Sequence, residues 1–286
     1  MKKVFRLATR GSPLALIQAK MTAGYLSARL PGVSFEIKEY KTLGDKKQNW
    51  SLSKLERVGL FTKELEEALF NDEADIAVHS AKDLPVNLPE NFGVAMCLPR
   101  DKSCDVLVRK SEKSVPDLIA TSSPRRRAQL KNMFPNAVWG EMRGNVETRL
   151  KKLSAVESSI DATVLSGAGL VRLGITAFED LVFTELKYNC CVPAAGQGII
   201  ALQCNDSLAE ILSGLGDKNA MEAFLLERQF LRTLGGGCQV AHAANFDGEF
   251  FRIFHENCGI QKYKFSSSSI DEMLKEVEAL AQGIVK

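Results

Sequence analysis

The chain has 286 residues, of which 45% are hydrophobic and 25% charged, and its formal net charge is +2 at pH 7. These values are ordinary for a globular protein of two or three domains, and no apolar run is long enough to span a bilayer. The small net charge counts against a nucleic-acid partner, and no apolar segment follows the basic N-terminus as it would in a signal peptide. We therefore expect a cytoplasmic protein with neither a membrane nor a nucleic-acid partner.

Cysteine and histidine usage excludes two further classes. The seven cysteines are an odd number and include no CxxC pair, which counts against both a disulfide framework and a zinc ribbon. The three histidines, His79, His242 and His255, are not at metal-ligand spacing. The sequence therefore predicts no metal site.

Short apolar runs alternate with helical patterns over the first two-thirds of the chain. The runs are VFRLAT, FEIKEY, ADIAVHS and GVAMCLP, followed by CDVLVRK, LIATSS, AVWGEM and DATVLSG. Because they are apolar on both faces and separated by helices, they predict parallel βαβ units of an α/β fold, divided near CLPRDKSCD into two portions of similar size. From Asn219 onward, a helix, a glycine run, strands turning at Asp247 and Gly248, and a final helix predict a small α+β module.

Arginines stand where helices are expected to begin. Ser12 and Ser123 each precede a proline, as an N-cap precedes the first helical residue, and Asn145 can cap a third helix. A cation at such an end costs about 0.3–1 kcal/mol unless an anion offsets it. We infer a polyanion site in the crevice where strand-to-helix turns meet, and guanidinium forks suit carboxylates. The arginines are Arg10, Arg125, Arg126, Arg143 and Arg149; any one alone is equally well explained as a solvated surface residue.

Two other positions have ambiguous roles. Lys82 and Asp83 follow the buried strand ADIAVHS, so Asp83 could balance charge or cap a helix, or it could transfer a proton and stabilise a cationic intermediate. Cys238 directly follows three glycines, which give a reactive cysteine room and backbone freedom, although free cysteines are usually buried and inert. Local pattern alone does not choose between these readings.

An ordered series of motifs resolves the choice. RLATRGSPLAL, ADIAVHSAKDLP, TSSPRRRAQL, RGNVETRL, GAGLVRLG, PAAGQG and GGGCQV together closely resemble the porphobilinogen deaminases, also called hydroxymethylbilane synthases. The resemblance implies an α/β fold with two domains like those of type II periplasmic binding proteins, residues 1–98 with 196–216 and residues 99–195, and a small α+β domain, residues 217–286. It also implies a monomer.

The resemblance further implies a dipyrromethane cofactor joined by a thioether to Cys238. On this primer the family condenses four porphobilinogen molecules head to tail, releasing ammonia each time, and water then frees hydroxymethylbilane. By position, Asp83 is the catalytic residue, which assists deamination and stabilises charge on the pyrrole nitrogen. The matching cofactor-binding residues are Cys238, Lys82, Asp83, Ser123, Arg125 and Arg126. The matching substrate-binding residues are Arg10, Ser12, Thr121, Arg143, Arg149, Arg172 and Gln197.

Three departures from the family pattern stand out. Val58 occupies a position where the family usually has lysine, the loop from Asp45 to Glu56 is shortened, and Ala241 replaces a common proline. Two alternative functions stay open. One is a non-catalytic small-anion-binding protein of the same fold, which gives no reason for Cys238; the other takes SPRRRAQLK as a nucleic-acid contact, which the net charge disfavours.

Overall fold

The computed structural model describes residues 3–42, 62–235 and 241–285. Two five-stranded sheets and one three-stranded sheet organise these residues. We call the units built on the five-stranded sheets the first and second lobes, and the unit built on the three-stranded sheet the third module. In the described part of the chain, no helix combines the length and apolar character needed to cross a bilayer.

The first lobe contains a sheet of order β2-β1-β3-β10-β4. Its core consists of apolar side chains on both faces of the sheet, including fully buried Leu7 and Ile76. The strands are β1 (Val4–Arg10), β2 (Ser34–Tyr40), β3 (Ile76–Ser80), β4 (Phe92–Cys97) and β10 (Ile200–Asn205), and the helices are α1 (Pro13–Ser27), α2 (Lys63–Phe70) and α6 (Asp206–Leu212).

The second lobe has the equivalent strand order, β7-β6-β8-β5-β9. Its core lies on both faces of the sheet and includes fully buried Ile119 and Leu150. The strands are β5 (Asp105–Lys110), β6 (Leu118–Ala120), β7 (Val138–Gly140), β8 (Ala162–Ser166) and β9 (Leu181–Glu185), and the helices are α3 (Pro124–Leu130), α4 (Val146–Ser154) and α5 (Gly167–Arg172).

The third module packs two helices against an antiparallel sheet. Phe230 and Phe251 are fully buried between them, with ring centroids 6.0 Å apart. The strands are β11 (Ala243–Phe246), β12 (Phe251–His255) and β13 (Gly259–Tyr263), and the helices are α7 (Lys218–Thr233) and α8 (Ile270–Val285). The turn between β11 and β12 contains Gly248 at φ 96°, as the Asp247-Gly248 pair predicts.

The expectation of purely parallel lobes is wrong at one strand in each sheet. β10 runs antiparallel to both β3 and β4, and β5 runs antiparallel to both β8 and β9. Each of these strands enters its sheet from the opposite lobe, so it arrives in the reverse direction. Apolar runs fix which segments are buried strands but leave their direction undetermined. The predicted α/β fold class is confirmed, while the predicted domain boundaries remain a prediction that this strand order supports.

Candidate active site

Asp83 lies in a single 3-10 turn, Ala81–Asp83, directly after buried strand β3. Asp83 lies close enough to Arg149 of the second lobe for their charges to interact. The Asp83 side chain is 33% exposed, and its Oδ2 lies 3.9 Å from Nη1 of Arg10 at the end of β1. A carboxylate in this position is accessible to a ligand and remains beside a cation.

A cavity of about 60 Å³ opens beside Asp83. Its walls include Arg10, Gln18, His79 and Ser80, and the Gln18 amide exchanges hydrogen bonds of 2.9 and 3.1 Å with the Ser80 hydroxyl. Burial lowers the pKa of His79 to about 4, although its Nε2 lies 3.0 Å from Oε1 of Gln203. His79 is therefore neutral at pH 7, and the nearby acid-base group that meets solvent is Asp83.

Arg125 and Arg126 point inward from α3 onto one buried carboxylate. Oδ2 of Asp105 accepts from Nη1 of Arg125 at 2.8 Å, and Oδ1 accepts from Nη2 of Arg126 at 2.7 Å. Burial alone would raise the pKa of Asp105, but the two guanidinium charges outweigh it and hold that pKa far below its ordinary range. Asp105 thus neutralises part of the charge of Arg125 and Arg126 within the protein. The sequence predicted instead that a ligand supplies the offsetting anion.

Gln197 and Lys82 join this charged cluster to the first lobe. The Gln197 amide nitrogen donates to Oδ1 of Asp105 at 2.9 Å and to the Ser103 carbonyl at 2.7 Å, while its oxygen accepts from Nζ of Lys82 at 3.3 Å. Burial, together with the charge of Arg126, lowers the pKa of Lys82 to about 8, against the opposing effect of Asp83. The Lys82 ammonium group beside Asp83 therefore loses its proton more readily than an ordinary lysine, and an anion bound nearby would favour its charged form.

Arg143 and Arg149 supply the least neutralised positive charge. Nε of Arg149 donates to the Gly144 carbonyl at 2.8 Å, and burial, with the charges of Arg126 and Arg143, lowers the pKa of Arg149 to about 10. Nη2 of Arg143 is buried and has no hydrogen-bond partner among the described residues. A buried guanidinium nitrogen without an acceptor is costly, and a ligand carboxylate would satisfy it.

The remaining predicted residues have contacts within the protein. Ser12 and Ser123 are N-caps whose hydroxyls accept from Ala15 N and Arg126 N, and Oγ1 of Thr121 accepts from Ser123 N. Nη2 of Arg172 donates to the Gly198 carbonyl at 2.6 Å, and its Nε lies 3.5 Å from Oδ2 of Asp101. Arg172 thus faces the chain that crosses between the lobes.

Three sequence predictions fall outside the described residues. These are Cys238, Val58 and the shortened loop from Asp45 to Glu56. Ala241 is described, and it is buried in a small apolar cluster with Val192 and Phe254.

Four functional candidates escaped the sequence reasoning. Asp105, Arg100, Glu227 and Arg228 are all buried or nearly so, and each contacts residues distant in the chain. Glu227 pairs with Nη1 of Arg100 at 2.6 Å. For Asp105, a charge at the start of the apolar run of β5 was the available signal, since such residues are buried only when paired. Arg100 lies outside any helix or strand and offered no such signal.

The arrangement defines a two-lobed α/β protein with a cation-lined cleft and one accessible carboxylate. Such a cleft suits a ligand with several carboxylates that undergoes proton transfer. The Porphobilinogen deaminase, dipyromethane cofactor binding domain, family model matches residues 5–213. The chain belongs to the porphobilinogen deaminase family, the transferases of tetrapyrrole biosynthesis that use a dipyrromethane cofactor.

Relatives at high identity agree. The porphobilinogen deaminase of Syntrophomonas wolfei is 44% identical, over 84% of this chain and 79% of that protein. That of Desulforamulus reducens is 40% identical, over 86% and 80%. Among solved structures, an ABC transporter from Parabacteroides distasonis aligns over 99% of this chain and 95% of its own, at 14% identity and a TM-score of 0.46. The non-catalytic anion-binding alternative is not favoured.

Proposed function

We propose that this enzyme condenses four porphobilinogen molecules head to tail on a dipyrromethane primer held by a thioether to Cys238. The observation that supports these residue assignments is the convergence of cations from both lobes around Asp83, the half-exposed carboxylate. When bound, the dipyrromethane supplies the pyrrole carbon to which the first substrate is joined. The residues of this chain bind, orient and handle protons around it.

Carboxylate binding is the first task. Every pyrrole of the cofactor and product carries an acetate and a propionate, so negative charge accumulates as the chain grows. We assign Lys82, Arg126 and Ser123 to the cofactor side of the cleft, with Arg125 held behind them by Asp105. The buried, unsatisfied Nη2 of Arg143 fits such a carboxylate acceptor.

The substrate side of the cleft is assigned to Arg10, Arg143 and Arg149. Ser12 and Thr121 stay predicted substrate contacts, although their hydroxyl groups also serve in helix capping and turn structure. The contacts of Gln197 and Arg172 with the interlobe crossover favour a positioning role for these two side chains.

Asp83 is assigned the acid-base chemistry. In its acid form, the Asp83 carboxyl group can give a proton to the amine as ammonia leaves, and the resulting carboxylate can take up the proton that the pyrrole carbon loses once the new bond has formed. In between, that carboxylate stabilises positive charge on the pyrrole nitrogen. The surrounding cations do not serve this last purpose, because they would repel a cationic intermediate. Arg10, 3.9 Å away, instead orients the carboxylate.

Asp83→Asn tests the assignment. The variant should carry the cofactor, shown by intact mass, and should release ammonia from porphobilinogen about 10²–10⁴-fold more slowly, the range typical of a lost acid-base group. Asp72→Asn is the matched control, because the Asp72 side chain is 92% exposed on the same lobe. Normal turnover by Asp83→Asn would remove Asp83 from the catalytic role.

We also propose that the enzyme is a cytoplasmic monomer without a nucleic-acid partner. The cysteines in the described residues, Cys97, Cys104, Cys190, Cys191, Cys204 and Cys258, are all free thiols, which suits a reducing compartment. The net charge of +2 gives little attraction for a polyanionic backbone. Light scattering at working concentration should give the mass of one chain, and a dimer mass would contradict the monomer.

A further inference from the structure

Two consecutive side chains of α7 bond to backbone next to the Ala81–Asp83 turn: Arg228 to the chain that follows the turn, and Glu227 to the crossover that packs against its start. Glu227 is fully buried and Arg228 is 7% exposed. The same helix ends at Thr233, five residues before Cys238. One helix therefore bonds to backbone next to the turn that carries the acid and leads into the segment that carries the reactive cysteine.

Arg228 holds the chain directly after Asp83. Its Nη2 donates to the carbonyls of Pro85 at 2.5 Å and Val86 at 2.7 Å, and its Nη1 donates to the carbonyl of Leu84 at 3.4 Å. Three successive carbonyls on one guanidinium fix the path of this segment, because the planar fork sets the direction as well as the length of each bond. The exit from the turn is thereby attached to the third module.

Glu227 holds the other side of the turn through a glycine. Oε2 of Glu227 accepts from the backbone N–H of Gly196 at 2.6 Å. Gly196 has φ of +74°, and a Cβ there would lie 2.9 Å from Ala81 and 3.0 Å from the Lys82 nitrogen. The backbone of the crossover thus packs directly against the start of the turn, and the Ala81 N–H donates to the Ile199 carbonyl at 3.0 Å.

The Glu227 carboxylate also accepts hydrogen bonds from Arg100 and from the backbone of Phe246. Nη1 of Arg100 pairs with Oε1 of Glu227 at 2.6 Å, and the N–H of Phe246 donates to the same oxygen at 2.8 Å. A buried carboxylate with several donors is held in one geometry, since any displacement leaves a buried charge unsatisfied. Glu227 thus joins the connection between β4 and β5, at Arg100, to the connection between β9 and β10, at Gly196, and to β11 of the third module.

We propose that Arg228 and Glu227 are positioning residues for Asp83, which hold the segments on either side of the acid against the third module while the lobes accommodate a lengthening product. This inference rests on the proposed role of Asp83. Catalysis needs the carboxylate held within about 0.5 Å of its productive position, and a misplacement of about 1 Å can cost roughly 100-fold in rate. Binding of substrate carboxylates by the arginines farther from Asp83 does not require such precise placement.

Arg228→Met tests the proposal, with Arg232→Met as the matched control. Arg232 is exposed on the same helix, and its Nη1 donates to Oε1 of Gln229 in that helix at 3.3 Å. We expect Arg228→Met to carry the cofactor, to keep KM for porphobilinogen within about twofold, and to lower kcat per loaded molecule about 10–100-fold. Arg228→Lys should recover a large part of that loss, and Arg232→Met should match the wild type.

A second variant removes no charge. Gly196→Ala should push the turn away from the crossover and lower kcat with KM nearly unchanged, as Arg228→Met does. If both variants keep wild-type kcat per loaded molecule, or lose only stability and loading, the positioning role is refuted. If Asp83→Asn turns over normally, the proposed function fails instead, whatever the Arg228 variants show.

Discussion

Asp105→Asn is the substitution that tests the buried charge cluster most severely. The wild-type carboxylate is fully buried and accepts from Arg125 at 2.8 Å, Arg126 at 2.7 Å and Gln197 at 2.9 Å. Asparagine keeps the shape but leaves two buried guanidinium groups without a counter-charge, and its NH2 group must face donors. Removing one partner of a buried ion pair costs about 3–5 kcal/mol.

Thermal melting measures this loss. At roughly 2 °C per kcal/mol for a chain of this size, the melting temperature of the cofactor-free variant should fall by about 6–10 °C. The cofactor-loaded variant should lose less, because the cofactor's carboxylates replace part of the missing charge. Asp117→Asn is the control: its side chain is 80% exposed beside Lys113, and such a surface pair contributes about 0–1 kcal/mol.

The direction of the pH dependence follows from the same carboxylate. Because the pKa of Asp105 is lowered in the folded protein, its stabilising contribution is present above the ordinary aspartate pKa and is lost as the pH falls below it. Asp105→Asn should therefore reduce the loss of stability in acid. If Asp105→Asn melts within about 2 °C of the wild type, as Asp117→Asn should, the buried cluster does not carry the charge assigned to it.

Burial lowers the pKa of His79 to about 4, so between pH 6.5 and 4 the unfolded chain binds a proton at this residue that the folded protein does not bind. The melting temperature should therefore fall as the pH drops from 6.5 to 4, and it should fall less steeply in His79→Gln. Equal slopes in the two proteins would contradict this. Because the pKa of Lys82 is lowered to about 8, the fraction of cofactor-free protein that becomes loaded with cofactor should decline as the pH rises through 8, whereas Lys82→Arg should still load above that pH. Intact mass over a pH series measures this loading. The same decline above pH 8 in both proteins would refute the prediction. Arg143→Ala should weaken substrate binding by about 1.5–3 kcal/mol, or roughly 10–150-fold in KM. Arg127→Ala is the control and should leave KM unchanged, because it removes only an exposed partner of Glu141. Unchanged distributions of product and chain intermediates in Arg143→Ala would count against the role of Arg143.

Local features of the fold were predictable from the sequence. Ser12, Ser123 and Asn145 cap helices as their spacing predicts, with hydroxyl or amide oxygens accepting from N–H groups three residues on. The information needed for a cap lies within four consecutive residues. Several apolar runs likewise mark buried strands, as in β3, β5 and β8, because burial on both faces leaves a local signature. FEIKEY and AVWGEM instead form the partly exposed edge strands β2 and β7.

Long-range charge pairing was not predictable. Asp105 lies 20 residues before Arg125, and Arg100 lies 127 residues before Glu227. Nothing near either acid identifies its partner. The fold of the second lobe brings Asp105 beside Arg125, and the packing of α7 against the connection between β4 and β5 brings Glu227 beside Arg100. For this reason the sequence reasoning assigns all of the arginines' counter-charge to a ligand, whereas Asp105 supplies part of it.

The central claim is that the cleft holds a pyrrole chain tethered to Cys238. Intact-mass measurement of the purified protein, before and after addition of porphobilinogen, tests it most directly. The account predicts a dipyrromethane-sized adduct that grows by successive pyrrole units in the wild type and is absent from Cys238→Ser. An unmodified wild-type chain from pyrrole-producing cells, or an adduct that persists in Cys238→Ser, would contradict it.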